Sequence, residues 1–328
     1  MKYCKNVLHI TPTPLVKAPE NLSAALNKYT DIKSHNLVLT DYPNHLKGIF
    51  INDSISFFNL STSKSDFVID LINQADIIHV HNFLPKSFEN YLINTLNNKK
   101  SFFIYQNHSF LREGPLFTRR DRTSILNFSL KLTVSQVHPR LHPNFKFAPN
   151  IIPFKPSYTH NKNKMIRVLF SPAHKQIGSR WSQKYSPHLN EILNAHNTLG
   201  NLELIDISGI KPYELFEIRK TVDITIDEIV TGGFHQVSLE GLCAGNVVIN
   251  GADWFSLETA KHISKNFEKP PFVTTTEERV KETLDSLLSD HSRIEELKKS
   301  SYEYYKENLD PSYLVNFYVN YYNGVCNA

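Results

Sequence analysis

The amino-acid sequence predicts an α/β protein made of two parallel-sheet domains of similar size that face each other across a cleft. Three observations lead to this prediction. Short β-branched runs alternate with longer amphipathic segments, as in parallel α/β folds. The same alternation appears in both halves of the chain, and one segment rich in proline, lysine and asparagine separates them. The 328 residues, of which 41% are hydrophobic, are enough for two cores.

The first half is predicted to contain seven strands and two helices. Its β-branched runs give the strands, and apolar residues at helical spacing give the helices. Pro19 stands where a helix start tolerates proline. The strands cover residues 7–10, 37–40, 48–51, 77–81, 102–105, 132–135 and 145–148, and the helices cover 19–29 and 65–74. Residues 1–152 therefore form one domain, and residues 153–164, which lack an apolar period, form a linker.

The second half repeats this pattern and predicts a second domain over residues 165–310. Its strands cover residues 167–171, 202–207, 222–226, 246–249 and 272–274, and its helices cover 188–199, 212–220, 237–243, 277–288 and 292–308. An aromatic stretch at 312–322 follows Pro311. Its tyrosines recur at helical spacing, which is more typical of core packing than of a stacking platform.

Composition narrows the class of protein. The net charge of +4 and pI near 8.7 fit an anionic small ligand and only weakly suggest nucleic acid. The three cysteines, Cys4, Cys243 and Cys326, have no metal-type spacing and leave one unpaired, which predicts a reducing cytoplasm. No apolar run approaches the roughly 18 residues needed to span a bilayer. We therefore expect a cytoplasmic protein whose contact with membranes, if it has any, is peripheral.

The most informative stretch is residues 231–249. A Gly232-Gly233 turn leads into a short helical segment that carries one carboxylate, Glu240, and ends at Gly245 before a β-branched strand. Glycines allow positive φ and close approach of backbone N–H groups to a ligand. The first turn of the following helix has unpaired N–H groups that suit phosphate, and Glu240 is placed to reach a ribose diol. The stretch predicts a site for a nucleotide diphosphate compound.

This stretch resembles the signature of glycosyltransferase family 4, the retaining enzymes that use nucleotide sugars. The matching positions are Gly233, Phe234, Glu240, Ala244, Gly245 and residues 247–249. The family's first Glu is replaced by Gly232 and its second glycine by His235, while Asp227 and Glu228 stand where a variant group has an acidic pair. Residues 75–82 resemble the strand whose terminal histidine lies at the transfer centre, and residues 149–153 resemble the family's hinge.

The resemblance implies a GT-B fold, two Rossmann-like domains facing each other across a cleft. It assigns the acceptor side to residues 1–152 and nucleotide-sugar binding to residues 165–310. Residues 311–328 would form a closing helix that packs back on the first domain. The implied activity is transfer of a hexosyl or pentosyl group from a UDP- or GDP-sugar with retention of configuration.

Three residues are the predicted catalytic group. Arg180 and Lys184 stand where the family places the cations that neutralise the departing diphosphate, and with helix amides they do so without a metal ion or other cofactor. His81 would orient the sugar or the acceptor at the end of its strand. The competing interpretations are that Arg180 and Lys184 are ordinary surface residues and that His81 is a structural histidine.

The remaining predicted residues line the donor and acceptor sides. For the donor they are Glu240, Gly232, Gly233, Phe234, His235, His174, Asp227 and Glu228, and for the acceptor they are His108, Arg112 and Lys17. The alternative for Glu240 is a carboxylate that only stabilises the helix start. The loops that carry His108 and His174 are as consistent with simple connections as with a site.

The sequence leaves the acceptor and the reaction class open. A saccharide or envelope glycan is the expected acceptor, and a hydroxylated base of viral DNA is the second, supported by the basic cluster of Arg119, Arg120 and Arg122. A nucleotide-sugar epimerase or hydrolase on the same scaffold is a further alternative, since a fold does not fix chemistry. A non-enzymatic binding protein that kept the scaffold is the last.

Overall fold

The strands and helices fall into two structural units. The computed structural model describes residues 3–41, 53–57, 65–96, 101–108, 124–136, 138–160, 165–172, 184–207 and 209–328. Of these, the first unit holds the residues up to 134, residues 138–153 and residues 311–328, and the second holds residues 135–136 and 154–310. The chain therefore leaves the first unit, builds the second, and returns to the first.

The first unit is built on a parallel sheet. Its strands are β1 (Asn6–Thr11), β2 (Lys33–Val38), β3 (Ile55–Ser56), β4 (Ile77–His81), β5 (Phe102–Asn107), β6 (Phe128–Val134) and β7 (Lys146–Ala148). They lie in the order β3-β2-β1-β4-β5-β6-β7, and every neighbouring pair is parallel. This is the doubly wound order, in which sheet growth reverses between β1 and β4. Ligands bind outside the carboxyl ends of the strands at such a switch point.

Among the described residues, three α-helices cover this sheet between its strands: α1 (Ala18–Tyr29), α2 (Ser65–Gln74) and α3 (Lys86–Leu96). Each turns apolar residues inward, and Leu26 of α1, Ile72 of α2 and Leu92 of α3 are fully buried. Burial of one such side chain stabilises the fold by about 1.5–3 kcal/mol. The core between sheet and helices fixes the strands on which the polar residues of the switch point stand.

The second unit repeats the arrangement on a smaller parallel sheet. Its strands are β8 (Ile166–Phe170), β9 (Leu202–Ile205), β10 (Ile224–Ile226), β11 (Val247–Asn250) and β12 (Val273–Thr274), in the order β12-β11-β10-β8-β9. Its helices are α4 (Pro187–Thr198), α5 (Pro212–Arg219), α6 (Gln236–Cys243), α7 (Trp254–Ile263), α8 (Val280–Leu288) and α9 (His291–Asn308). The switch point of this sheet lies between β8 and β10.

The helix α10 (Pro311–Cys326) belongs to the first unit, where it contacts α1. Tyr318 and Tyr322 are 1% and 0% exposed, and Leu314 and Val315 are buried beside them. The aromatic stretch is therefore core, as its helical spacing predicts. It also brings two tyrosine hydroxyls into the interior, where each needs a hydrogen-bond partner.

Several elements differ from the prediction. Two helices, α3 and α7, are not among the predicted elements. In α3 the buried residues Phe88, Leu92 and Leu96 recur every four positions, which is a helical period, whereas the buried face of α7 is mostly small or polar and gives no apolar stripe. The strand β2 begins at Lys33, before the predicted 37–40. Its first four residues alternate between exposed and buried, but all of them are polar, and a polar run does not stand out as a strand in the sequence. The predicted strand at 48–51 lies outside the described residues. No helix in the described ranges has both the length and the apolar character needed to span a bilayer.

Candidate functional site

A cluster of histidines lies at the switch point of the first unit. His9 is near the carboxyl end of β1, and His79 and His81 are within the last three residues of β4. The parallel register pairs His9 with His79. Because side chains alternate along a strand, His79 and His81 lie on one face. All three are fully buried. The sequence singles out His81, whereas His9 gains its place only through the pairing of two distant strands.

Hydrogen bonds between imidazoles join this cluster to the residue after β5. His9 Nδ1 lies 2.8 Å from His81 Nε2, and His81 Nδ1 lies 2.8 Å from Nε2 of His108. His79 stacks on His81, with ring centroids 4.2 Å apart, and its Nδ1 is 2.9 Å from the Tyr322 hydroxyl. A neutral imidazole has one N–H and one lone pair, so the three linked rings must donate in one common direction.

Burial keeps these histidines neutral. It lowers the pKa of His9 and of His108 to about 3, and repulsion from His108 adds to the effect at His9. Burial also lowers the pKa of His79 and His81 well below the usual range, helped by the neighbouring imidazoles, while the nearby polar side chain of Gln106 opposes the shift at His79. At neutral pH the cluster therefore offers N–H donors and lone pairs but no positive charge.

The turn after β4 holds His108, the last histidine of this cluster, in place. Asn82 has a φ of 64°, in the left-handed region that asparagine tolerates better than most residues. Its N–H donates to the Gln106 carbonyl at 2.8 Å, and its Oδ1 accepts the N–H of His108 at 2.7 Å. The Gln106 amide donates to the Tyr318 hydroxyl at 3.2 Å, which donates to the Pro149 carbonyl at 2.7 Å. These bonds tie β4, β5 and α10 together around the histidines.

Carboxylates take the corresponding place in the second unit. Asp227 and Glu228 directly follow β10. Glu228 is 2% exposed and accepts the N–H groups of Val230 and Thr231 at 2.7 and 2.8 Å, as well as the Thr231 hydroxyl. Its carboxylate therefore shapes the turn between β10 and α6.

Asp227 holds the start of α6. Its Oδ2 accepts the N–H of His235 at 2.6 Å and the Ser238 hydroxyl at 2.8 Å, and its Oδ1 lies 3.6 Å from His235 Nδ1. Burial raises the pKa of Asp227, but the interaction with His235 and these hydrogen bonds outweigh it, so the pKa lies below its usual value. His235, the N-cap of α6, thus stands beside an ionised carboxylate and 3.8 Å from Glu228 Oε1.

Glu240 is paired inside the second unit. Its Oε2 accepts from Arg219 Nη2 at 3.0 Å, and its Oε1 accepts from Gln236 Nε2 at 2.9 Å. Arg219 is 0% exposed and Glu240 is 6% exposed, so each charge depends on the other for compensation. The sequence gives no sign of this pair, because the two residues lie on different helices.

Two glycines define the ends of the segment around α6. Gly232 has a φ of 77°, and a Cβ there would lie 3.1 Å from Oδ2 of Asp253. Gly245 has a φ of 68°, and a Cβ there would lie 2.7 Å from the carbonyl oxygen of Ser157. The Gly245 N–H bonds the Leu242 carbonyl at 3.0 Å, which closes the helix in a Schellman-type cap. The left-handed conformation favours glycine at both positions, and at Gly245 the backbone also leaves no space for a side chain.

Solved structures of similar architecture cover nearly the whole chain. An alpha-glucosyltransferase in complex with UDP and a 13-mer DNA containing an HMU base has a TM-score of 0.67 and 11% identity, over 98% of this chain and 100% of that one. The S. aureus MnaA–UDP structure has a TM-score of 0.55 and 14% identity, over 99% and 98%. Sucrose-phosphate synthase from Thermosynechococcus elongatus has a TM-score of 0.54 and 11% identity, over 98% and 99%.

The chain has the GT-B fold. The predicted pair of Rossmann-like domains is confirmed by these likenesses and by the two parallel sheets. No protein-family model matches the sequence, and no curated protein matches it significantly. At 11–14% identity, the fold is what the likenesses establish.

Within this GT-B fold, three other predicted residues have defined surroundings. Phe234 is fully buried with its ring 5.2 Å from that of Phe272, so its side chain serves the core. Gly233 lies buried in the turn before α6. Lys17 has a φ of 67° at the start of α1, and its Nζ lies 2.7 Å from Glu20 Oε1.

The predicted cations fall at or beyond the edge of the described residues. His174, Arg180 and Arg112 lie outside them, as does the basic cluster of Arg119, Arg120 and Arg122. Lys184 is partly exposed in a short turn before α4. Neutralisation of a departing diphosphate by Arg180 and Lys184 therefore stays a prediction.

Proposed function

We propose that this chain transfers a sugar from a nucleoside diphosphate sugar to an acceptor hydroxyl, with retention of the anomeric configuration. The observation that carries the proposal is the switch point of the second unit. There the Gly232 turn, the start of α6 and the Asp227–His235 pair meet at the carboxyl end of β10. Helix N-termini favour phosphate, and nucleotides bind at switch points. The alpha-glucosyltransferase and MnaA, similar over their whole length, were both solved with UDP.

In this proposal α6 holds the donor. Backbone N–H groups around Gly233 and the side chain of His235 contact the diphosphate, and Glu240 accepts from the ribose hydroxyls. Each carboxylate oxygen has two lone pairs, so Glu240 keeps acceptor capacity after the bonds from Arg219 and Gln236. Arg219 then has a defined task, because it fixes the orientation of the carboxylate that reads the ribose.

The departing diphosphate needs positive charge close to it. Arg180, Lys184 and His174, with the amides of α6, supply that charge in the proposed mechanism. Fixed cations and dipoles stabilise developing charge without the cost of reorganising water. This arrangement makes the transfer independent of a metal ion at the diphosphate.

The first unit receives the acceptor in this proposal. His81 orients the sugar or the acceptor hydroxyl through the imidazole chain that ends at His108, which is partly exposed. Sugar transfer passes through an oxocarbenium-like centre, and neutral histidines can hydrogen-bond near it without repelling it. Arg112 and Lys17 complete the acceptor side.

Two acceptor classes compete. A specific observation favours a hydroxylated DNA base, since the alpha-glucosyltransferase that matches this chain end to end was solved with DNA containing an HMU base. The basic pI of 8.7 agrees with a DNA acceptor. A duplex base would have to be flipped out of the stack to react. The saccharide acceptor that the sequence led us to expect is the second candidate.

Donor binding is tested first, by thermal unfolding with a panel of UDP-, GDP- and ADP-sugars. A ligand at a hundredfold its Kd stabilises the folded state by about 2.7 kcal/mol. We expect one donor to raise the Tm of the wild type and of His291→Ala, an exposed control on α9, but not of His235→Ala. Glu240→Ala is unsuitable here because it leaves Arg219 without its partner. If no donor raises the Tm, the proposed donor site is wrong.

Transfer is tested with the donor that binds. The enzyme is incubated with three sets of acceptors: oligonucleotides with one hydroxymethylated pyrimidine, the same oligonucleotides without the modification, and saccharides. Mass spectrometry identifies the products. Sugar on the hydroxymethylated strand alone supports the DNA acceptor, and its rate should fall with added salt. Sugar on a saccharide alone supports the other candidate. NMR of the product's anomeric proton reports retention, and inversion would contradict the proposed stereochemistry.

The other reaction classes are separated by leaving the acceptor out. An epimerase converts the nucleotide sugar to its isomer under these conditions, and a hydrolase releases free sugar. Transfer requires the acceptor, so an unchanged donor supports it. A donor that binds but is not consumed with any acceptor would favour a binding protein.

A further inference from the structure

The histidine cluster of the first unit has the composition and spacing of a metal site. One imidazole nitrogen from each of His9, His79 and His81 lies within 4.8 Å of those of the other two. All three side chains are fully buried and stand on the adjacent strands β1 and β4. Strands hold a site more firmly than loops do. Three imidazoles are also the protein ligands of one class of zinc site, whose fourth position is open.

Hydrogen-bond partners hold Nδ1 of two of these three histidines. His79 Nδ1 is 2.9 Å from the Tyr322 hydroxyl, and His81 Nδ1 is 2.8 Å from Nε2 of His108. Histidines that bind a metal usually donate their second N–H to a hydrogen-bond acceptor, which fixes the tautomer and the ring orientation. With Nδ1 engaged, Nε2 is the nitrogen that His79 and His81 can offer to an ion.

His9 supplies the third imidazole. Its Nδ1 faces Nε2 of His81 at 2.8 Å, so Nδ1 is the nitrogen that His9 presents to the cluster, and the buried Nε2 of His79 has no hydrogen-bond partner among the described residues. An unpaired polar atom in the interior is unfavourable, and an ion is one kind of partner that the lone pair of His79 Nε2 can take. Two nitrogens on one tetrahedral zinc lie about 3.3 Å apart, given zinc–nitrogen bonds of roughly 2.0–2.1 Å. A separation of the two rings by about half an ångström would therefore admit an ion.

We propose that His9, His79 and His81 bind one transition-metal ion of the class that prefers imidazole, with Zn²⁺ and Co²⁺ as its representatives. Mg²⁺ and Ca²⁺ prefer oxygen ligands and are not expected to bind. A neutral imidazole coordinates through its lone pair and keeps its single proton on the other nitrogen. Binding therefore requires a change of tautomer at most, and no proton has to leave the ligands.

This inference stands on the geometry of the cluster and not on the sugar-transfer reaction. The ion is distinct from any charge at the diphosphate, which the proposed function assigns to cations and amides of the second unit. If His81 orients the sugar or the acceptor, an ion bound to it withdraws it from that task. The ion would then inhibit transfer, and a chelator would restore it.

Metal uptake by the full chain is the direct test. Chelator-treated protein is titrated with Co²⁺, and the visible absorption of a tetrahedral, nitrogen-bound cobalt ion is followed. We expect one equivalent to bind, Zn²⁺ to displace it, and Mg²⁺ to leave the spectrum unchanged. His79→Gln and His9→Gln should lose the signal, while His291→Gln, an exposed control, should keep it. No uptake by the wild type, or equal uptake by His79→Gln, overturns the proposal.

Two further measurements do not depend on the folding of a ligand variant. Zinc-edge X-ray absorption of the wild type counts imidazole ligands, and fewer than three would overturn the proposal. Tyr322→Phe keeps the ring and removes only the hydroxyl that holds His79, so we expect an affinity about 10-fold lower. Because all these readouts measure binding, a failure to find sugar transfer leaves their meaning unchanged.

Discussion

Both units gather polar side chains at the switch point of a doubly wound sheet, but the cluster is neutral in the first unit and charged in the second. At the switch point of the first unit, three neutral histidines are hydrogen-bonded in a chain, and a fourth, His79, stacks on His81 and bonds to the Tyr322 hydroxyl. At that of the second unit, the carboxylates Asp227 and Glu228 accept bonds from backbone N–H groups and hydroxyls. Topology therefore determines where polar residues gather, and the residue types determine whether the cluster is neutral or charged.

The loops at these switch points differ as well. In the second unit, the turn before α6 needs a positive φ and has Gly232 there. In the first unit, the turn before α1 places Leu15, Val16 and Lys17 in the left-handed region, with φ of 47°, 51° and 67°. A non-glycine residue there costs roughly 1–2 kcal/mol. The first unit therefore keeps backbone strain in this turn, whereas the second unit avoids it by having glycine at the positive-φ position.

The largest expected loss of stability is at Glu240, whose buried ion pair with Arg219 is a charged contact of the second unit. Glu240→Ala leaves the fully buried Arg219 without a counter-charge, which should lower the free energy of unfolding by about 3–5 kcal/mol. Tyr322→Phe removes only a neutral partner of His79, and about 1–3 kcal/mol should be lost. Urea unfolding measures both. Glu203→Ala, which breaks a half-exposed ion pair, is the control and should cost less than about 1 kcal/mol. Equal losses at Glu240 and Glu203 would contradict the buried pair.

The second comparison is between two glycines. Gly245→Ala forces a side chain into the left-handed region and against the Ser157 carbonyl, so about 2 kcal/mol or more should be lost. Gly324→Ala, inside α10 of the first unit, meets no atom within 4 Å and should gain about 0.5–1 kcal/mol. Thermal unfolding checks the two signs. A stable Gly245→Ala variant would mean that the end of α6 is built differently.

The strained turn of the first unit gives a smaller effect of opposite sign. Val16→Gly should relieve part of the strain, offset by the greater freedom of glycine in the unfolded chain, for a net gain of up to about 1 kcal/mol. Val16→Ala keeps a Cβ and should gain less. Val16 is 56% exposed, so little packing is lost in either variant. Loss of stability on Val16→Gly, measured by urea unfolding, would show that the turn is not strained.

The smallest effect is the acid response of the second unit. The pKa of Asp227 is lowered in the folded state, so its contribution to stability is present above the unfolded value of roughly 3.9 and is lost as pH falls through the lower folded value. Below about pH 4, the free energy of unfolding should therefore fall more steeply in the wild type than in Asp227→Asn. Parallel curves for the two proteins would remove Asp227 from the acid-sensitive groups.

Much of the architecture can be predicted from the sequence because apolar runs report burial directly. The run at 77–81 and the helix at 65–74 match β4 and α2 in their bounds. Most other predicted elements are displaced by a few residues, since capping and pairing, rather than composition, determine where a strand or helix ends. The polar first half of β2 and the helix α7 depend on tertiary packing, which no local pattern reveals, whereas α3 does have a local helical period in Phe88, Leu92 and Leu96.

The candidate site is predictable only in part, for a similar reason. Glu240, His81 and Asp227 stand in motifs with recognisable spacing, and the sequence identifies them. His9 and Arg219 lie in segments without any motif and acquire a role through a partner, His81 and Glu240 respectively, that is distant in the chain. Such partnerships follow from the strand order and from helix packing, so they require the folded structure.

The return of α10 to the first unit has a consequence for the order of folding during synthesis. His79 meets the hydroxyl of Tyr322 across 243 positions of the chain, and between them the ribosome makes all of residues 154–310. Domains generally fold as units while the chain emerges. The second unit can therefore fold before the first unit has received α10, its last helix. The part of the protein that is translated earliest is the part that is completed last.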